Sequence, residues 1–176
     1  KRIVHMMAKQ ELFKTKLSNW FFRSMAAIPV NRKIHDSEAK SAAIEILNQG
    51  KILGIFPEGT RNKTIGTENE VDLLPFKFGA VSFASKTKAK IVFITPPPLI
   101  EDELFPFTTN KAVSMYSDVI RKTAVNFSCE LIDFNKLMTE EAAGDLEPYL
   151  QYDGLHLSNK GYELIYRLIF KKINSF

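Results

Sequence analysis

The sequence predicts an α/β fold, a single three-layer αβα domain with a mostly parallel sheet. The runs Ile52-Leu53-Gly54-Ile55-Phe56 and Ile91-Val92-Phe93-Ile94-Thr95 are short, apolar and closed by Pro57 and Pro96, the pattern of strands buried on both faces. Around them apolar residues recur at helical spacing, and strands alternating with helices favour parallel pairing. The 176 residues are 45% hydrophobic and 25% charged, with 8 Gly and 8 Pro, a composition suited to a globular chain with one sizeable core. Strands 52–56 and 91–95 are therefore expected as neighbours or near neighbours in one sheet.

In chain order, residues 11–27 read as a helix carrying Leu12, Phe13, Leu17, Trp20, Phe21 and Met25, with Lys14, Lys16 and Arg23 between them. Ile28-Pro29-Val30-Asn31-Arg32 is a short extended piece. Asp36 is an N-cap for a helix with Ala39, Ala42, Ala43, Ile46 and Leu47 at helical spacing, and Gly50 ends it. A polar loop covers 58–74, and Phe76 to Lys86 is helical. A proline cluster at 96–98 marks the natural seam. Beyond it come a loop, a helix of about 111–127, a strand at 129–133 and a loop rich in Glu and Asp. The last helix starts near Ser158, with Ile165, Leu168 and Ile169 on one face and Lys171 and Lys172 near the negative end of its dipole.

A net charge of +4 fits an anionic partner such as a phospholipid surface, a phosphorylated metabolite or nucleic acid. The single cysteine, Cys129, cannot form an internal disulfide, which favours a reducing compartment. Its place in the run Cys129-Glu130-Leu131-Ile132 suggests a buried structural thiol. No apolar stretch reaches the roughly 18 residues of a membrane-spanning helix, and no signal peptide is visible.

The first motif with chemical content is Phe56-Pro57-Glu58-Gly59-Thr60-Arg61-Asn62. A buried strand delivers it to the carboxyl edge of the sheet, where open α/β folds place ligands. Gly59 permits close backbone approach. The Thr60 hydroxyl and the Arg61 guanidinium suit phosphate oxygens, and Glu58 can hold Arg61 or accept from a substrate hydroxyl.

These residues resemble the phosphate-site motif of the glycerophospholipid acyltransferases, the lysophosphatidate acyltransferase family. Ala8-Lys9-Gln10-Glu11-Leu12-Phe13 is similar to the segment after that family's catalytic histidine motif. Ile28-Pro29-Val30-Asn31-Arg32 is similar to its second block, and Leu74-Pro75-Phe76-Lys77-Phe78-Gly79-Ala80 to the stretch beyond the phosphate motif. The resemblance covers roughly residues 6–92. It implies that Arg32, Glu58, Gly59, Thr60 and Arg61 bind the phosphate and glycerol of an acyl acceptor, with acyl-CoA or acyl carrier protein as acyl donor and no metal or other cofactor. It also implies a histidine, with an aspartate five positions on, as general base. Here His5 is followed five positions later by Gln10, and it lies too close to Ala8-Lys9, so the pair is absent. His35 reads as a surface residue.

The second motif is Asp153-Gly154-Leu155-His156. An aspartate three residues before a histidine can fix the imidazole tautomer and leave the other ring nitrogen free as a base. Its surroundings, Tyr152 through Tyr162, resemble the last block of the SGNH (GDSL-type) hydrolases. Ile94-Thr95-Pro96-Pro97-Pro98 is similar to the proline loop of the isoamyl acetate-hydrolysing esterase branch, and this resemblance covers roughly 91–173. It implies that Asp153 and His156 are two members of a serine triad. The Gly-Asp-Ser nucleophile block is missing, since Gly144-Asp145 is followed by Leu146. The Gly-x-Asn-Asp block, which helps stabilise the oxyanion, is missing too.

The chain therefore reads as a chimera: an acyltransferase-like segment over 1–92 and an esterase-like segment over 93–176, sharing one sheet. The expected function is an acyltransferase-like fragment that binds a phosphorylated glycerolipid or glycerol phosphate, of the type used in phospholipid biosynthesis, and is catalytically incomplete. The alternatives are an SGNH-type ester hydrolase fragment and a non-catalytic fold. A catalytic block upstream of Lys1 would decide between the two chemistries. Peripheral membrane contact and a cytoplasmic, membrane-associated location accompany the first reading, and no nucleic-acid partner is expected.

Overall fold

The computed structural model describes residues 3–31, 34, 36–56, 77–103 and 109–176. The chain divides into two compact units, Lys1–Ala89 and Lys90–Phe176.

In the first unit β1 (Val4–Lys9) is the middle strand, flanked by β2 (Ile28–Val30) and β3 (Ile52–Gly54), and both ladders are parallel. The register sets Lys9 opposite Val30 and Met6 opposite Gly54. Nothing in Val-His-Met-Met-Ala-Lys suggests a strand by alternation or β-branching, so β1 was not legible in the sequence. The expected helix 11–27 is broken into a 3-10 turn, Gln10–Phe13, and α1 (Lys16–Ser24). Thr15 is the reason: its side chain accepts from the Ser18 amide at 3.1 Å, and the Ser18 hydroxyl accepts from the Thr15 amide, a reciprocal cap that starts a new helix. Asp36 caps α2 (Ser37–Asn48) as expected, and Gly50 follows it at φ +69°. Helix α3 (Gly79–Thr87) buries Phe83.

In the second unit β4 (Val92–Ile94) pairs in parallel with β5 (Glu130–Ile132), and α4 (Asn110–Asn126) makes the crossover. Helix α5 (Phe134–Ala142) occupies part of the acidic stretch expected as a loop. Phe134, Met138 and Ala142 lie at i, i+4 and i+8 and are buried, while Glu140 and Glu141 stay exposed. The core closes over Ile132, Tyr149, Leu150 and Leu164, the last from α6 (Asn159–Ile173). Cys129 is half-buried rather than buried.

The α/β class and the parallel strands match the sequence-based expectation. Among the described residues the hydrogen-bonded ladders form a three-stranded sheet in the first unit and a two-stranded sheet in the second. β3 finds its partner in β1, the strand the sequence did not reveal, and β4 finds its partner in β5.

A polar node holds the carboxyl edge of the second sheet. Thr95, just past β4, is 1% exposed. Its hydroxyl donates to Asp133 at 3.1 Å and accepts from the Asn135 amide at 2.9 Å. Arg121 on α4 donates two hydrogen bonds to the same carboxylate, at 2.7 and 2.8 Å. Its guanidinium is the main reason the Asp133 carboxyl is held below the ordinary range. Thr95→Val keeps the shape but leaves the Asn135 N–H without its acceptor. A loss of about 1–3 kcal/mol is expected, read from urea unfolding followed by circular dichroism; unchanged stability would show that water replaces the hydroxyl.

Candidate functional site

Parallel pairing decides where chemistry can gather in the first unit. β1, β2 and β3 run in one direction, so their carboxyl ends share one edge of the sheet. Gln10 follows β1, Asn31 follows β2, and Ile55-Phe56 follow β3. An open depression in this unit is lined by Gln10, Glu11, Lys14, Asn19, Arg23 and Asn31, among others. Two cations, one acid and several amides there suit an anionic, hydroxyl-bearing ligand. Sequence reasoning did not single out Lys14 and Arg23 as lining residues. Their spacing across the Thr15 break hides that they line one depression.

Asp36 braces this edge. One carboxylate oxygen accepts from the Ala39 amide at 2.9 Å and the other from the Asn31 amide at 2.7 Å. These bonds, Ala39 first, lower its carboxyl pKa, and they tie the end of β2 to the start of α2. Of the residues singled out from the sequence, Arg32, Glu58, Gly59, Thr60 and Arg61 lie outside the described residues, as does His35. His5 sits half-buried in β1 with Nδ1 3.3 Å from the Ile52 carbonyl oxygen.

In the second unit Asp153 and His156 come together. His156 Nδ1 lies 2.6 Å from Asp153 Oδ2, and Asp153 Oδ1 accepts from the backbone N–H groups of Leu155 and His156 at 3.0 and 2.9 Å. The bond from the His156 ring, followed by those two amides, holds the Asp153 carboxyl down to about 2. It is therefore ionised at neutral pH and can only accept, so Nδ1 carries the proton and Nε2 is the basic nitrogen. The ring is open to solvent, with 66% of its side chain exposed.

The turn is fixed from both ends. Gly154 has φ +65°, its carbonyl accepts from the Ile100 amide at 2.9 Å, and a Cβ there would lie 2.8 Å from the Ile100 oxygen. Only glycine meets both demands without strain. Gln151 donates its amide to the His156 carbonyl at 2.7 Å, and Ser158 donates its hydroxyl to the Pro148 carbonyl at 2.6 Å while capping α6. Among the described residues no serine hydroxyl is hydrogen-bonded to the His156 ring.

The first unit is thus an α/β unit with a depression carrying cations beside the end of its parallel strands. An acyltransferase family model matches residues 1–95, and the chain belongs to that family. A 1-acyl-sn-glycerol-3-phosphate acyltransferase of Bacillus subtilis (strain 168) is 39% identical over 89 residues, covering 51% of this chain and 41% of that protein. The isoamyl acetate-hydrolyzing esterase of Saccharomyces cerevisiae (strain ATCC 204508 / S288c) is 36% identical over 70 residues, covering 40% of this chain and 29% of that protein. The chain thus spans less than half the length of either relative. Among solved structures, the lipase/acylhydrolase from Enterococcus faecalis matches with a TM-score of 0.53 at 19% identity, over 99% of this chain and 96% of that chain. A GDSL-like lipase from Bacteroides thetaiotaomicron VPI-5482 gives 0.52 at 15% identity, over 99% and 88%. These likenesses show an α/β fold.

Because the folded Asp153 value lies below the roughly 3.9 of an unfolded aspartate, its stabilising effect is complete above about pH 4 and fades as pH falls toward 2. The stability difference between wild type and Asp153→Asn should narrow across that window. A carbon-13 NMR titration should place the Asp153 midpoint near 2 and move it upward in His156→Ala. An unmoved midpoint would assign the depression to the backbone amides alone.

Proposed function

We propose that the first unit is the acceptor-binding part of an acyltransferase of the 1-acylglycerol-3-phosphate O-acyltransferase type, and that the 176-residue chain turns over neither acyl transfer nor ester hydrolysis. The observation that carries the first half is the shared sheet edge. β2 and β3 end there, and in the sequence they are followed by the segments bearing Arg32 and Glu58 to Arg61. A phosphate would draw the two arginines together, since two guanidinium groups near one site repel unless an anion or carboxylate lies between them. The substrate class is a phosphorylated glycerolipid or glycerol phosphate. The reading implies a cytoplasmic setting at a membrane surface.

Acyl transfer needs a base to take the proton from the acceptor hydroxyl as it attacks an acyl thioester. His5, with Gln10 rather than an acid five positions on, is half-buried in β1 against a carbonyl and is poorly placed for that task. Titrating glycerol 3-phosphate into wild type and Arg61→Ala should give saturable binding that the variant loses by about tenfold or more, the worth of one charge-assisted pair. Equal binding, or none to either, removes the acceptor-site reading.

A second reading, ester hydrolysis, is favoured by the Asp153–His156 geometry alone. Its chemistry is incomplete. A histidine base contributes roughly 10²–10⁴-fold, and the rest of a serine hydrolase's rate requires a nucleophile and oxyanion donors. The chain has no Gly-Asp-Ser tripeptide and no Asn-Asp pair. With p-nitrophenyl acetate, wild type and His156→Ala should both stay at background. An acyl-enzyme burst that disappears in the variant would show that another serine had been recruited.

A further inference from the structure

Helix α6 carries more apolar surface than its own unit covers. Leu164 is buried, and Ile165, Leu168 and Ile169 pack against the core of the second unit. That stripe alone is enough to seat a surface helix. Beside it Tyr162, Tyr166 and Phe170 form a second row at i, i+4 and i+8, and they are 56%, 51% and 51% exposed. The rings of Tyr166 and Phe170 stack on each other, with centroids 6.1 Å apart and planes inclined by 23°. The apolar arc of α6 therefore continues past the core into solvent.

Charges line the outer flank of this row. One position beyond Tyr162, Tyr166 and Phe170 come Glu163, Arg167 and Lys171, so the flank is acidic at one end and basic at the other. Arg167 is paired with Glu141 of α5. Glu163 and Lys171 are both exposed, and among the described residues neither takes part in an ion pair. An occupant of this face must offer apolar surface, with a cation opposite Glu163 and an acid opposite Lys171.

We propose that the aromatic row of α6 is the contact face for a second copy of this chain, in a two-fold dimer whose two α6 helices run antiparallel and meet at Tyr166. The row is its own complement when reversed. Pairing about Tyr166 sets Tyr162 of each copy opposite Phe170 of the other, and the same operation brings Glu163 to within about 3 Å of Lys171 along the helix axis. A two-fold contact repeats every pair, so two ion pairs flank one aromatic centre. A sugar chain is the poorer occupant, because it stacks on open ring faces and Tyr166 and Phe170 turn faces toward each other. The inference concerns the second unit and is independent of the acceptor-site reading.

The row runs only about 12 Å along the helix, so the interface is small and the dimer weak, with a dissociation constant on the order of 10–100 µM. Sedimentation velocity between about 5 and 500 µM should show the shift from monomer to dimer across that range. Tyr166→Glu should raise the dissociation constant tenfold or more by placing two unpaired carboxylates at the centre. Glu163→Lys and Lys171→Glu should each weaken self-association about fivefold, since either change sets like charges against each other at two places. Mixed in equal amounts, these two variants should pair with about the wild-type affinity, because in the mixed dimer every cation again faces an acid. All four chains should share one circular dichroism spectrum, since the altered side chains are exposed. Three results would overturn the proposal. A wild type still monomeric at about 500 µM would leave the row to a different partner. A dimer that Tyr166→Glu does not weaken would place the contact on another surface. Charge variants that associate no better mixed than alone would exclude the antiparallel pairing.

Discussion

Parallel pairing is the constraint on which most of this molecule depends. Two parallel strands cannot be joined by a tight turn, so each ladder demands a crossover, and α1, α2 and α4 lie in the connections that supply it. The same geometry sends the carboxyl end of every strand in a sheet to a single edge. An aspartate secures each edge. Asp36 joins the Asn31 amide at the end of β2 to the Ala39 amide at the start of α2. Asp133 joins Thr95 beyond β4 to the start of α5 and takes two hydrogen bonds from Arg121 on the crossover helix. In both cases a carboxylate serves as helix cap and strand brace at once, so the loops that leave the edge start from fixed points.

How much of this the sequence revealed varies with how local the cause is. Caps were legible: Asp36, Gly50 and Ser158 act within three or four residues, and each sits where its side chain or backbone suggested. The strands 52–56 and 91–95 appeared as apolar runs, though their ladders cover only Ile52–Gly54 and Val92–Ile94. β1 was invisible because its place is fixed by pairing with β2 and β3 rather than by a pattern of its own. α5 was hidden by composition, because Lys136, Glu140 and Glu141 mask a buried row of only three residues. Arg121–Asp133 spans 12 positions, beyond any local rule, although Thr95 and Asp133 stand at equivalent positions just past two strands. That equivalence was the one available signal.

The candidate sites show the same division. Asp153 and His156 are three residues apart, so a single turn brings them together and the sequence could anticipate it. The acceptor edge needs three strands and a broken helix to bring Gln10, Lys14, Arg23 and Asn31 to one depression, and no spacing rule foretells that. Motif resemblance recognised the family from the segments just past β2 and β3, while the depression itself emerged only from the topology.

The well-formed Asp153–His156 pair says less about catalysis than its geometry suggests. Asp153 accepts three hydrogen bonds, all from its own turn, and Gly154 anchors that turn through Ile100. Each polar group is satisfied locally, so the turn is stable whether or not a nucleophile stands opposite Nε2. A carboxylate held near 2 also keeps Nδ1 protonated without any substrate. Pre-organisation of this kind is what a hydrolase needs, yet a capping turn at the start of α6 requires the same bonds. What separates the two is a partner for Nε2. Among the described residues no side chain is hydrogen-bonded to that nitrogen, so the bonds of the pair are those of the turn itself.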